Sequence, residues 1–187
     1  MKRSSFPLIM KALAVGTAAV TAVLGLWFHW IRADWVLTAA ISFGTTAYHF
    51  CMRLSVGYLV PMLTGYRFDP QGPWFRPHSW EAKLYKALRV RRWKGRLPTY
   101  APSQFSLETQ SPEQILRNMC GAEAVHEIIM VLSLLPIGLS GFFGTPGVFL
   151  GTSLAAALFD SLFVIAQRYN RPRLMRVLMR QKLPGQV

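Results

Sequence analysis

Four apolar stretches constrain this chain more than any other feature, because each is close to the roughly 20 residues that a helix needs to cross the hydrocarbon of a bilayer. The pattern predicts an all-α, polytopic membrane protein with four transmembrane helices. We expect one integral membrane domain over residues 1–187, in which residues 64–121 form a cytoplasmic or interfacial loop with amphipathic helical character. The four stretches are Leu8 to Trp30, Trp35 to Leu63, Ala122 to Phe143 and Pro146 to Ala166.

The charge of the chain is unusual for a domain so rich in apolar residues. Of its 187 residues, 52% are hydrophobic, yet 21 are Lys or Arg against 8 Asp or Glu, which gives a formal net charge of +13. If four helices alternate across a membrane, all of these cations except Arg32 and Arg53 fall on one side. The positive-inside bias therefore predicts that both termini and the central loop are cytoplasmic. We expect membrane lipids as partners, and no nucleic acid, because four membrane helices do not suit it.

Glycines recur through the apolar stretches. Small residues let helices approach closely in lipid, where no hydrophobic force separates a helix from the lipid tails. We therefore predict that these glycines mark helix contacts within one compact bundle. The set is Gly16, Gly25, Gly44, Gly57, Gly138 and Gly151.

Metal and disulfide chemistry have little support in the sequence. Two cysteines, Cys51 and Cys120, are too few for a disulfide framework or a Cys-rich zinc site. His126 and Glu127 begin an HExxH-like segment, but Met130 occupies the place of the second histidine. We therefore expect no metal site.

The central loop has a helical pattern of its own. From Ser79 to Trp93, apolar and cationic residues follow each other with helical spacing, which predicts one amphipathic helix lying on an anionic leaflet. Later in the loop, Ser111 followed by Pro112 is typical of a capped helix start. We expect that helix to continue into the third span.

Three ionisable residues enter the third span within two turns. Glu123 and His126 share one helix face at i and i+3, and Glu127 follows. One hypothesis is that Glu123 orients His126, which removes a proton from a hydroxyl group. The alternative, equally supported by the spacing, is that His126 and Glu127 lie at headgroup level and pair with loop arginines.

Two polar residues lie inside the second stretch, His49 and Arg53, again one helical turn apart. An arginine at the centre of a membrane helix costs about 2.5–3.5 kcal/mol on insertion scales unless it is paired. Arg53 therefore needs a partner, for which Asp160, Glu123 or a bound anion would serve. An Arg53–Asp160 ion pair that holds helices together is at least as well supported as a contact to an oxyanion or phosphate.

The fourth stretch ends in a polar cluster at the cytoplasmic boundary, formed by Gln167, Arg168, Asn170 and Arg171. A plain cationic flank needs only the arginines. The two amides would either hydrogen-bond a sugar hydroxyl or cap the helix, and capping is the commoner role. Together with loop cations, the cluster would suit the phosphates of a carrier or lipid.

Several segments together resemble the glycosyl-4,4'-diaponeurosporenoate acyltransferase family, small membrane proteins of bacterial carotenoid synthesis. The resemblance covers about two thirds of the chain, from about His49 to Arg173. The segments are FDPQGPWFRPHSWE, LYKALRVRRWKGRLP, AEAVHE and QRYNRPR.

The resemblance implies that a fatty acyl group is transferred to a sugar hydroxyl of a glycosylated carotenoid or related glycolipid, at the inner leaflet of a bacterial plasma membrane. On this reading His126 is the general base, Glu123 orients it, and His49 or Arg53 stabilises the oxyanion. Acyl-CoA or another activated acyl donor is then the co-substrate, without a further cofactor. The other residues expected to bind substrate are Trp74, Arg76, Trp80, Arg92, Trp93, Lys94, Gln167, Arg168, Asn170 and Arg171.

The same polar residues allow a function without catalysis. In a membrane scaffold or lipid-binding subunit, each of them would pair with another residue or with headgroups. Convergence of the polar residues on one place would distinguish an enzyme from a scaffold. A small transporter is less well supported, because four short helices without an internal repeat give little basis for alternating access.

Overall fold

The computed structural model describes residues 5–182, and within that range it contains helices and turns without a β-strand. The all-α prediction is confirmed. Short 3₁₀ turns lie at Pro73–Phe75, Lys94–Arg96, Pro102–Phe105 and Leu135–Leu139. The α-helices are α1 (Phe6–Ile31), α2 (Asp34–Thr64), α3 (Glu81–Ala87), α4 (Val90–Trp93), α5 (Pro112–Leu132), α6 (Ser140–Phe143) and α7 (Pro146–Lys182).

Three helical segments of the described chain are long and apolar enough to cross a membrane, rather than the four predicted. They are Phe6–Ile31, Pro112–Phe143 and Pro146–Arg180. Helix α2 is long enough at 31 residues, but it carries Asp34, His49 and Arg53 among several hydroxyl residues. These polar side chains lower the hydropathy of α2, so the prediction of a membrane span at α2 is wrong. The three apolar segments indicate a protein associated with membranes.

The described residues fall into two compact units. We call the first the loop unit, which contains Val60–Glu127 and residues 161–182. The second, the helix unit, contains Ser5–Leu59 and Ile128–Asp160. The predicted loop thus belongs to one unit together with the N-terminal part of α5 and the C-terminal part of α7.

In the helix unit, one predicted glycine contact is present. A methyl group added at Gly44 would lie 3.3 Å from the side chain of Thr21, so α1 and α2 approach closely at this point. At Gly16, Gly25 and Gly57, a methyl group would meet no atom of residues 5–182 within 4 Å, and the same holds at Gly138 and Gly151. For these five, the prediction of helix contacts is wrong, because the bare side of each glycine faces open space.

In the loop unit, the chain that follows α2 packs on α5. A methyl group at Gly121 would lie 2.5 Å from the ring of Tyr66 and 3.3 Å from that of Phe68. Only a residue without a side chain allows the tyrosine ring to lie this close to the helix backbone. Tyr66 itself has a φ of +55°, so the turn that delivers its ring is also locally unfavourable.

The predicted amphipathic helix of the loop is divided into two. Helix α3 ends at Ala87, and α4 begins at Val90 after Arg89 adopts the left-handed conformation with a φ of +50°. The prediction of one continuous helix from Ser79 to Trp93 is therefore wrong. The predicted start of α5 is confirmed, since Pro112 is its first residue and the backbone N–H of Gln114 donates to Ser111 Oγ at 3.2 Å.

Candidate functional site

Four charged side chains meet inside the loop unit, and we call them the charged cluster: Glu81, Glu123, Arg168 and Arg171. Glu123 is fully buried, and only 2% of Glu81 and 1% of Arg171 are exposed. Two carboxylates and two guanidinium groups balance each other in charge. Such a buried group is costly to desolvate and is stable only when its members are paired and hydrogen-bonded.

Arg168 joins the two carboxylates of the cluster. Its Nη2 and Nε donate to Glu81 Oε1 at 2.6 and 3.0 Å, and its Nη1 donates to Glu123 Oε1 at 2.7 Å. The second oxygen of Glu123 accepts a bond from Arg171. Both oxygens of Glu123 are therefore engaged with arginines of α7.

The two arginines also hold the backbone of the 3₁₀ turn at Pro73–Phe75. Arg168 donates to the carbonyl oxygens of Trp74 and Arg76 at 3.3 and 3.1 Å, and Arg171 donates to that of Phe75 at 2.5 Å. Three consecutive carbonyl groups thus bind two guanidinium groups. The charged cluster fixes the turn through its main chain.

Glu81 has a third partner in its own helix. The hydroxyl of Tyr85, one turn later, donates to Glu81 Oε2 at 2.5 Å. Burial alone would raise the pKa of Glu81, but the hydrogen bonds from Tyr85 and Arg168 outweigh it and hold the pKa below its usual range. Burial and the neighbouring carboxylate raise the pKa of Tyr85. Glu81 is therefore an ionised acceptor and Tyr85 a neutral donor near neutral pH.

A groove of about 520 Å³ lies beside the charged cluster. Its wall carries seven Lys or Arg side chains against one carboxylate, Glu81, so we call it the cationic groove. Such a surface suits a ligand with several phosphate groups. It is lined by Pro77, His78, Glu81, Ala82, Tyr85, Lys86, Arg89, Arg91, Arg92, Arg168, Tyr169, Pro172, Arg173 and Arg176.

Tyr169 lies in this wall with cations near its ring. The guanidinium carbon of Arg173 lies 3.5 Å from the ring centroid, and Lys94 Nζ lies 5.2 Å from it. Lys94 also donates to Asn170 Oδ1 at 2.5 Å. Burial and the charges of Arg173 and Arg91 lower the pKa of Lys94. The Lys94–Asn170 contact joins two residues that the sequence proposed for substrate binding.

A second groove of about 510 Å³ shares part of its wall with the first. Prolines, methionines and Phe75 make up most of its lining, so we call it the apolar groove. Pro77, Pro172 and Arg176 line both grooves. The remaining residues of its lining are Pro70, Gln71, Phe75, Arg76, Arg171, Met175 and Met179.

His126, the predicted base, is half-buried on α5 in the same unit. Its ring stacks on Phe163, with the ring centroids 4.4 Å apart and the planes within 11°. The adjacent Glu127 accepts a hydrogen bond from the indole Nε1 of Trp74 at 2.8 Å. Since the carbonyl of Trp74 accepts from Arg168, this tryptophan links the residue next to His126 with the wall of the cationic groove.

His49 and Arg53 lie in the helix unit. Arg53 forms a salt bridge with Asp160 and donates to the Ala156 carbonyl at 3.1 Å and to the His49 carbonyl at 3.2 Å. The structure therefore contains the Arg53–Asp160 ion pair, which was one of the two alternatives for Arg53. Both ring nitrogens of His49 are buried, and no partner for them is found within the described residues.

The other predicted residues belong to the loop unit. Trp80 is exposed and stacks on His78, Trp93 donates to the Leu88 carbonyl at 2.9 Å, and the Nε of Arg76 donates to the Gln71 carbonyl at 3.2 Å. Gln167 is half-buried. Arg92 lines the cationic groove.

Sequence reasoning missed Glu81, Tyr85 and Tyr169 as parts of this site. A signal for the first pair was present, because Glu81 and Tyr85 are one helical turn apart at the start of a basic helix. Glu81 is also the lone acid between Asp69 and Glu108. An acid surrounded by cations is a natural centre for an ion-pair cluster.

Comparison with known proteins gives one finding that bears on activity. A family model described as glycosyl-4,4'-diaponeurosporenoate acyltransferase matches residues 71–180. The matched segment includes the charged cluster and the whole lining of the cationic groove. Neither the curated proteins nor the solved structures give a match to the chain.

Proposed function

The chain belongs to the glycosyl-4,4'-diaponeurosporenoate acyltransferase family and is an acyltransferase, and we propose that it transfers a fatty acyl group to a sugar hydroxyl of a glycosylated carotenoid or related glycolipid. The family match shows that this chain is an enzyme rather than a scaffold without catalysis. A membrane-dissolved acceptor agrees with the three apolar segments. The cationic loop favours the inner leaflet as the place of reaction, with both termini cytoplasmic.

One observation carries this proposal, namely the cationic groove. Seven cations in one wall need a partner with several negative charges, and the described acidic residues of that wall are limited to Glu81, which Arg168 already neutralises. An acyl-CoA presents such charges on its phosphates, whereas a free fatty acid presents a single carboxylate. We therefore assign the groove to the phosphates of an activated acyl donor.

In the proposed reaction, His126 is the general base. Its imidazole takes the proton of a sugar hydroxyl while the oxygen attacks the thioester carbonyl of the donor. The tetrahedral oxyanion then collapses, the C–S bond breaks, and the imidazolium returns the proton to the departing thiolate. The products are a sugar ester and free CoA.

Glu123 has a positioning role in this proposal. Both of its oxygens accept from Arg168 and Arg171, so its carboxylate holds the arginines that fix the turn carrying Trp74. The indole of Trp74 in turn binds Glu127 beside His126. Glu123 thus acts on the base through the arginines and the turn.

Removal of the proposed base is the first test. In nanodiscs with palmitoyl-CoA and a glycosylated carotenoid, His126→Ala should lower kcat by about 10²–10⁴-fold, the usual contribution of a general base. Mass spectrometry of the ester product measures this. Wild-type turnover by His126→Ala would disprove the role of His126.

Removal of groove cations tests the donor site. The double variant Lys86→Ala with Arg92→Ala should raise the KM for palmitoyl-CoA roughly tenfold, which corresponds to about 1.4 kcal/mol. Lys83 provides the matched control, because it lies on the same short helix and is exposed but does not line the groove. If Lys83→Ala and the double variant raise KM equally, the groove is not the donor site.

A further inference from the structure

We propose that the apolar groove binds the fatty acyl chain of the donor, and that Met175 and Met179 determine which chain lengths are accepted. This inference rests on the proposed function, because it concerns the donor whose phosphates are assigned to the cationic groove. It adds a second subsite and two specificity-determining residues.

The lining of the groove is suited to a hydrocarbon chain. Six of its side chains are apolar, and its volume of about 510 Å³ lies in the range of ordinary ligand pockets. Its most deeply buried charge, Arg171, is already neutralised by Glu123 and also donates to the Phe75 carbonyl. The apolar side chains are Pro70, Phe75, Pro77, Pro172, Met175 and Met179.

The two grooves are adjacent, since three residues line both, and this adjacency points to one occupant for both. Pro77, Pro172 and Arg176 line both, so two uncharged prolines and one arginine form the boundary between the cationic wall and the apolar wall. Arg176, the third shared residue, donates through Nε to the Pro172 carbonyl at 3.3 Å. A ligand that is anionic at one end and apolar at the other matches this sequence of surfaces. An acyl-CoA has that polarity, with its thioester between the two parts.

The two methionines are placed to act together. They are one helical turn apart on α7 and therefore lie on the same face. Methionine is unbranched and flexible, so it can adapt to chains of different shape. Val177 lies between them in sequence, is 51% exposed, and does not line the groove. It is the matched control for substitution on the same turn of helix.

A competition assay tests the assignment. Protein in nanodiscs receives glycosylated carotenoid and an equimolar mixture of lauroyl-, palmitoyl- and stearoyl-CoA, and mass spectrometry measures the ratio of the three esters. This ratio does not depend on how much of each variant is active. Met175→Trp and Met179→Trp should shift it toward lauroyl by roughly tenfold, since one methylene in an apolar pocket changes discrimination about 10–200-fold. Val177→Trp should keep the wild-type ratio.

Smaller side chains provide the opposite test and do not depend on the tolerance for tryptophan. Met175→Ala and Met179→Ala enlarge the groove and should shift the ratio toward stearoyl. A wild-type ratio in the two alanine variants would overturn the proposal, whether the groove then holds a phospholipid chain or another part of a ligand. An equal shift in Val177→Trp would also overturn it. If the wild-type protein forms no ester from any donor, the proposed function fails instead.

Discussion

The loop unit and the helix unit bury charge in different ways. In the loop unit, Glu123 is bound by two arginines, which also donate to three backbone carbonyl groups. In the helix unit, Arg53 pairs with Asp160, but its Nε has no hydrogen-bond partner within the described residues. The hydroxyl groups of Ser133 and Ser153 also have none there. In the loop unit, the charged side chains hold a 3₁₀ turn in place through its backbone carbonyls. In the helix unit, Arg53 instead connects α2 with α7 by binding Asp160 and a carbonyl of each helix.

Loss of Glu123 should give the largest effect on stability. Glu123→Ala leaves the buried guanidinium of Arg171 without its carboxylate and removes one of the two carboxylates bound by Arg168, so the free energy of unfolding should fall by about 3–5 kcal/mol. Thermal unfolding in detergent, followed by tryptophan fluorescence, measures this. Glu108 is exposed, and Glu108→Ala should leave the midpoint unchanged. Equal stability of the two variants would show that the cluster does not support the loop unit.

A glycine in each unit sharpens the comparison. Gly121→Ala places a methyl group 2.5 Å from the Tyr66 ring and should destabilise the protein by about 1–3 kcal/mol through overpacking. Gly57 lies inside α2, and a methyl group there meets nothing within 4 Å among the described residues, so Gly57→Ala should be neutral or stabilise by up to about 1 kcal/mol. The same unfolding assay applies. The opposite order of the two variants would contradict the close packing at Gly121.

Acid should weaken the loop unit through Glu81. The pKa of its carboxyl is lower in the folded state than its ordinary value of 4.5, so its stabilising effect is present above about pH 4.5 and is lost as the pH falls through the folded pKa. Glu81→Gln should remove this part of the pH dependence. Unfolding midpoints between neutral pH and acid measure it, and a wild-type slope in Glu81→Gln would contradict it.

The smallest effect is expected in the helix unit. Ser153 is fully buried, and its hydroxyl has no partner within the described residues, so Ser153→Ala should leave the unfolding midpoint unchanged or raise it slightly. Tyr85→Phe is the contrasting change in the loop unit, because it removes a donor from Glu81 and should lower the midpoint. A larger loss from Ser153→Ala than from Tyr85→Phe would reverse the comparison.

The sequence predicted best where a physical cost demanded a partner. The cost of an arginine inside an apolar stretch predicted a partner for Arg53, and Asp160 was among the candidates. The capped start of α5 at Ser111 and Pro112 was equally local, since the cap depends on a few adjacent residues. Such features follow from the residue and its near neighbours.

Features that depend on direction or on distant residues were not predictable from spacing. Of the six predicted glycines, Gly44 alone would bring an added methyl group within 4 Å of another part of the described chain. Spacing does not say which face of a helix is covered. The break at Arg89 needs a left-handed residue that is not glycine, which sequence seldom signals. Spacing also gave no sign that both oxygens of Glu123 accept from arginines 45 and 48 residues later.

Arg168 and Arg171 bind the turn at Pro73–Phe75 through backbone carbonyl oxygens, which every amino acid possesses. Exchange of the side chains at positions 74 and 76 therefore leaves this attachment chemically intact. Substitutions at positions 74 and 76 would therefore change what the turn presents to a lipid or a substrate while these three hydrogen bonds are kept. The turn is thus a place where specificity can evolve while the scaffold stays the same.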